Sequence, residues 1–172
     1  DPVSYKSPAL VAAEEDVAKA QAAFDVAEAE QQEAEDAKAA KQTEIDEAEA
    51  ALGSDSDKLS AGTLWGNYNA AENIVTENGD SATKQQEDAR DAALAAKDEA
   101  VAALGSTSDT ANAEGSLYAQ LAVLTVTKDN ADTALTTAET ALGPVEATVT
   151  AEEAAIRTVS YTHLRAHETL LY

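Results

Sequence analysis

Apolar residues recur every three and four positions along most of this chain. Leu117, Leu121, Leu124, Lys128, Ala131, Leu135, Ala138 and Leu142 keep strict 4-3 spacing. That spacing is a heptad seam, and it predicts a long helix that needs a partner helix to bury it. From about Ala9 to Leu52 a second helix is expected. One of its columns is Leu10, Val17, Phe24, Gln31, Lys38, Ile45 and Leu52, and the other is Ala13, Ala20, Ala27, Ala34, Lys41 and Ala48. Large residues at one core position and alanine at the other let two helices approach closely, which favours an antiparallel pair. Gln31, Lys38 and Lys41 put polar groups in the middle of the seam. They either fix its register at a cost in stability or mark a stretch without a partner. At 1.5 Å per residue this helix is roughly 65 Å long.

Ser7 and Pro8 read as its N-cap and first helical residue, after an irregular lead-in over residues 1–8. Leu52-Gly53 reads as its C-terminus, since glycine takes the left-handed position past a helix end without penalty. A turn over 53–63 leads to a segment with the stripe Leu64, Tyr68, Ala71 and Val75, with Trp65 beside it. Trp65 is either a packing anchor at the end of a bundle or a ligand platform, and packing is favoured. Asn78-Gly79 interrupts, and Asp80 or Ser81 can cap a restart. Leu94, Val101 and Leu104, with Ala93 and Ala100, carry the stripe to a second turn over 105–115. The last segment starts at Ser116. Gly143-Pro144 should end or kink it, yet Leu142, Val149 and Ile156 hold the heptad register, as do Ala138 and Val145. A kink or short restart in the same direction is expected. The expected fold is all-α: long antiparallel helices with coiled-coil heptads, as an elongated three-helix bundle or as extended helical hairpins whose stripes other chains complete. Residues 9–158 form the helical domain.

Composition thins the core. The 172 residues include one Trp, one Phe and five Tyr, and alanine dominates the seams. Alanine burial removes little apolar area at roughly 25 cal/mol per Å², so stability must come from length and helix propensity. The net charge of −22 repels phosphate backbones and anionic lipid, so neither nucleic acid nor a membrane is an expected partner. A solvated acidic face opposite the seam accounts for it, and a high-salt source is a second explanation. No run of 18 apolar residues occurs. The absence of cysteine excludes disulfides and thiolate metal sites.

The two turns are copies of one another. Leu52, Gly53, Ser54, Ser56, Asp57, Gly62, Thr63, Leu64 and Trp65 match Leu104, Gly105, Ser106, Ser108, Asp109, Gly115, Ser116, Leu117 and Tyr118, with a slip of one residue in the spacer. Asp55 and Asp57 imitate the start of a calcium loop. The match ends there: Leu59 stands at the next ligand position, Ser60 where the sharp turn needs glycine, and Gly66 where a bidentate Glu is needed. Capping and turn chemistry explain the acids instead. The repeated motif resembles short helical repeats of phage tail and tail-fibre structural proteins. The resemblance covers residues 51–65 and 103–118 and implies a virion or extracellular surface component that oligomerises.

Composition changes at Val159. His163 and His167, both histidines of the chain, lie in the last 14 residues, with two of the five tyrosines. Residues 159–169, Val-Ser-Tyr-Thr-His-Leu-Arg-Ala-His-Glu-Thr, resemble the translation of a transposase adapter used in sequencing libraries. Residues 159–172 are therefore read as a non-native tail, with the natural chain running on from near Thr158. The chain also lacks methionine and begins Asp1-Pro2, which reads as a processed or truncated start. His163 and His167 share a helix face at i, i+4, but no third ligand and no H-E-x-x-H accompanies them.

No catalytic set emerges: no nucleotide loop, no histidine or thiol before the tail, and carboxylates that line helix surfaces. Catalytic, cofactor-binding and metal residues are all expected to be none. The function expected is that of a structural, non-enzymatic, rod-like coiled-coil protein of the virion type. The alternative is a partner-binding coiled-coil scaffold or a bacterial surface stalk or adhesin segment. Either way the partners are proteins engaged through the heptad seams, with a homo-oligomer among them. A monomeric bundle with a ligand groove is disfavoured, because alanine seams pack too closely to leave a pocket.

Overall fold

In a computed structural model, residues 6–56 and 62–169 are described, the side chains only as far as residue 162. Every regular element among them is helical. The order is α1 (Pro8–Leu52), α2 (Leu64–Asn78), a 3-10 turn at Gly79–Ser81, α3 (Lys84–Leu104) and α4 (Leu117–Thr169). The chain divides into two compact units, one of residues 1–33 with 129–172 and one of residues 34–128.

The helix starts are set by side-chain caps. Ser7 Oγ accepts from Leu10 N–H at 3.0 Å, with Pro8 opening α1. Thr63 Oγ1 accepts from Gly66 N–H at 3.0 Å at the start of α2. Thr83 caps α3 through a complete capping box: its hydroxyl accepts from Gln86 N–H, and Gln86 Oε1 accepts from Thr83 N–H at 2.9 Å. The expected cap at Asp80 or Ser81 is thereby corrected. Those residues form the 3-10 turn, and only Thr83 has a Gln three residues on to close the box.

In the 34–128 unit, residues 64–104 are not one interrupted helix. Trp65 and Tyr68 of α2 lie against Lys97 of α3, and Glu72 lies 3.8 Å from Arg90. Rising numbers on one helix meet falling numbers on the other, so α2 and α3 fold back as an antiparallel hairpin. The core of this unit gathers helix ends. Ile45 is completely buried, and Leu52 and Leu104 pack with it. Ala48, Leu64, Trp65, Ala100, Leu117 and Leu121 close around them. The recessed positions of α3 are Gln86, Arg90, Ala93, Leu94, Lys97, Ala100 and Leu104. Val101, expected in that stripe, is 42% exposed. The other expected stripe residues, Leu94 and Leu104 with Ala93 and Ala100, are recessed, and Lys97 joins them.

In the other unit the first part of α1 lies antiparallel to the later part of α4. Gln31 Nε2 donates to Asp132 Oδ1 at 3.1 Å, and Glu14 and Val17 share a groove with Glu146, Val149 and Thr150. Its burial is shallow: Leu10, Ala13 and Ala27 are its buried apolar residues among those described. On α4 the recessed positions Ala131, Leu135, Ala138, Leu142, Val145, Val149, Glu152 and Ile156 alternate by three and four. They continue across Gly143 and Pro144, which lie inside one unbroken helix. Pro144 removes one backbone donor, and the helix resumes at once, with Thr148 Oγ1 donating to the Pro144 carbonyl at 3.0 Å. Residues 157–162 are exposed.

Candidate interaction surface

Three local arrangements carry the side-chain chemistry of this protein. The first is an aromatic clamp on the α2–α3 hairpin. The Lys97 ammonium lies 4.3 Å from the ring centroid of Trp65 and 5.1 Å from that of Tyr68. The two rings meet edge to face at 6.2 Å. Asp98 pairs with the same ammonium at 2.8 Å, and the Lys97 side chain keeps only 11% of its surface exposed. Trp65 is thus a packing residue whose π face is already filled by a cation from its own chain. Sequence periodicity gave no sign of Lys97. Its signal is its place between Ala93 and Ala100, where a long apolar stem fits a seam of small residues.

The second is the repeated turn. In each copy the first serine accepts from the backbone of the second, Ser54 from Ser56 N–H at 3.1 Å and Ser106 from Ser108 N–H at 3.3 Å. Gly53 and Gly105 close the preceding helices with φ of 73° and 75°. Asp109 then ties the second turn together, accepting from Ser106 N–H at 3.0 Å and from the Ser116 hydroxyl at 2.5 Å. Ser116 in turn caps α4 by accepting from Ala119 N–H at 3.3 Å. Chiefly the Ser116 bond, and then the Ser106 bond, hold the Asp109 carboxyl below its usual range against a smaller opposing effect of burial. Asp109 is therefore a turn-fastening group. Asp57, its counterpart in the first copy, lies outside the described residues.

The third is the contact between Tyr118 and α1. Its hydroxyl donates to Glu49 Oε1. That bond, then burial and the nearby Glu49 and Asp46 charges, push the phenol above its ordinary value.

The polar seam residues separate. Gln31 bonds across to α4 and so marks register, whereas Lys41 turns back to Glu44 of its own helix at 2.5 Å. Lys38 is half-buried. Among the described residues, no three His, Cys, Asp or Glu side chains converge as a metal site. No described helix is long and apolar enough to cross a membrane. His163 and His167 lie on the last turns of α4, with side chains outside the described set.

The surface also carries apolar grooves, one of them between α1 and α4 in the unit of residues 1–33 and 129–172. Ala22, Val26 and Ala27 face Ala134, Ala138 and Ala141 across an open space of about 740 Å³. Val26 is 57% exposed there. Glu30 and Thr137 also line it, and the alanines and Val26 between them can hold an aliphatic side-chain row. The chain matches no protein-family model, no curated protein and no solved structure.

Proposed function

We propose that this is a structural, non-enzymatic protein whose helices act as coiled-coil seams for assembly with other protein chains, in the manner of a virion tail or tail-fibre component. The observation that carries the reading is the spacing of recessed residues. On α1 they include 10, 13, 17, 20, 24, 27, 31, 34, 38, 41, 45, 48 and 52, with Glu14 and Ala37 recessed beside them, so a repeat of three and four spans the whole helix. The repeated Ser-x-Ser-Asp turn adds weight on the side of a modular fibre. Light scattering of the full chain after size exclusion tests it. A stable dimer or trimer supports assembly through the seams, and a monomer at every accessible concentration overturns self-assembly.

The second reading is a scaffold or surface stalk that receives a different protein. The open groove around Val26 favours it, because a two-helix unit with an alanine seam leaves an apolar face uncovered. Gene neighbourhood discriminates: adjacent tail genes support the first reading, a secretion or anchoring signal the second.

A further inference from the structure

We propose that Asn78 is a site of spontaneous backbone modification, deamidation through a succinimide, and that the last turn of α2 gates it. Of the six asparagines, Asn78 alone precedes a glycine; Asn67, Asn69, Asn73, Asn112 and Asn130 precede Tyr, Ala, Ile, Ala and Ala. The reaction needs the amide nitrogen of the following residue to reach the asparagine Cγ, and a side chain on that residue obstructs the approach. At Gly79 there is none, and the space a Cβ would occupy is open for 4 Å around. Asn78 and Gly79 are both exposed, so water and hydroxide reach them.

The step balances without a cofactor. Gly79 N loses its proton to hydroxide and attacks Asn78 Cγ. The Cγ–Nδ2 bond breaks as water protonates the departing nitrogen, so ammonia leaves and hydroxide is regenerated, giving a five-membered succinimide. One water then opens either carbonyl, yielding aspartate or isoaspartate. In the isoaspartate product the main chain runs through the side-chain carbon, so the hairpin apex gains a backbone atom and a negative charge next to Asp80.

Two hydrogen bonds restrain the reaction in the folded state. Gly79 N–H donates to the Val75 carbonyl, and Asn78 Nδ2 donates to the Ile74 carbonyl at 2.6 Å. With Asn78 at φ −81° and ψ −22°, the nitrogen and the side-chain carbon are not aligned for ring closure. Both bonds must break and ψ must rotate, so the rate reports opening of the α2 terminus and not global unfolding.

The test is incubation of the full chain at mildly alkaline pH and 37 °C, with peptide mapping and enzymatic methylation of isoaspartate. The expected result is conversion confined to Asn78, isoaspartate as the larger product, and a several-fold faster rate in urea at the same pH. Gly79→Ala should slow conversion several-fold. That outcome is diagnostic, because alanine is strained at the Gly79 φ of 50° and a loosened turn alone would speed the reaction. Asn78→Gln, which closes a less favourable six-membered ring, should abolish it on the same timescale. An intact Asn78 after prolonged incubation, aspartate without isoaspartate, or an unchanged rate in Gly79→Ala each overturns the succinimide route. Equal rates in buffer and urea overturn the gating.

Discussion

The ammonium of Lys97 sits 4.3 Å from the centre of the Trp65 ring, bridging α3 to α2. Trp65 is the chain's single tryptophan, so its emission reports this clamp directly. Lys97→Met keeps the apolar stem and removes the charge. The expected loss is about 1 kcal/mol for a largely desolvated cation–π contact, read as a lower urea midpoint. Lys97→Arg should keep most of that stability. An unchanged midpoint in Lys97→Met would show that only the stem matters.

Two glycines should respond in opposite directions to the same change. A methyl group at Gly105 would fall on the Ser116 Oγ and Asp109 Oδ2 atoms, at a φ of 75°. Gly105→Ala should therefore cost roughly 1–3 kcal/mol. Gly143 lies inside α4 with nothing within 4 Å of the added carbon. Gly143→Ala should stabilise by about 0.5–1 kcal/mol, the usual helix-interior difference. Thermal unfolding of the two variants side by side checks the sign of each.

Stability should fall at both ends of the pH range, for separate reasons. Asp109 has its folded-state value lowered, so its contribution is present above the ordinary carboxylate value and disappears as pH drops through the lowered one. Tyr118 has its folded-state value raised, so its contribution is present below the ordinary phenol value and disappears as pH climbs through the raised one. Asp109→Asn should flatten the acid limb alone, and Tyr118→Phe the alkaline limb alone. Chemical denaturation midpoints across pH resolve the two limbs.

Ile45 is the largest fully buried side chain among the described residues. Ile45→Ala should cost about 2–5 kcal/mol and Ile45→Val about 0.5–1.5 kcal/mol. Calorimetry that found Ile45→Ala near neutral would mean that the helix ends around it do not form one core.

The long helices were legible because their information is local. The α1 columns from Leu10 to Leu52 repeat at fixed spacing, Ser7-Pro8 announces the start and Leu52-Gly53 the end. The fate of residues 64–104 was not legible, because Asn78-Gly79 is compatible with a kink or a reversal. What decides is tertiary: Arg90 reaching Glu72 and Lys97 filling the space between Trp65 and Tyr68. At Gly143-Pro144 the expected kink or short restart in the same direction is replaced by a helix that runs on unbroken in the same register. Proline costs one hydrogen bond, and the seam residues on either side, Leu142 and Val145, stay recessed and hold the helix through it. The acids of the turns were legible as capping and turn chemistry, but the partner of Asp109 was not, since a sequence shows the carboxylate and not the Ser116 hydroxyl that donates to it.

The antiparallel pairing of α1 with α4 in the unit of residues 1–33 and 129–172 has a mechanical consequence. The start of α1 and residues near Ile156 lie at the same end of that pair, since Glu14 and Val17 adjoin Glu146 and Val149. Tension applied through that end peels the helices apart one turn at a time, breaking a few half-buried contacts per step. Tension applied along the axis from opposite ends loads every seam contact at once. The same two helices therefore form a weak link or a strong strut, depending only on which end carries the load.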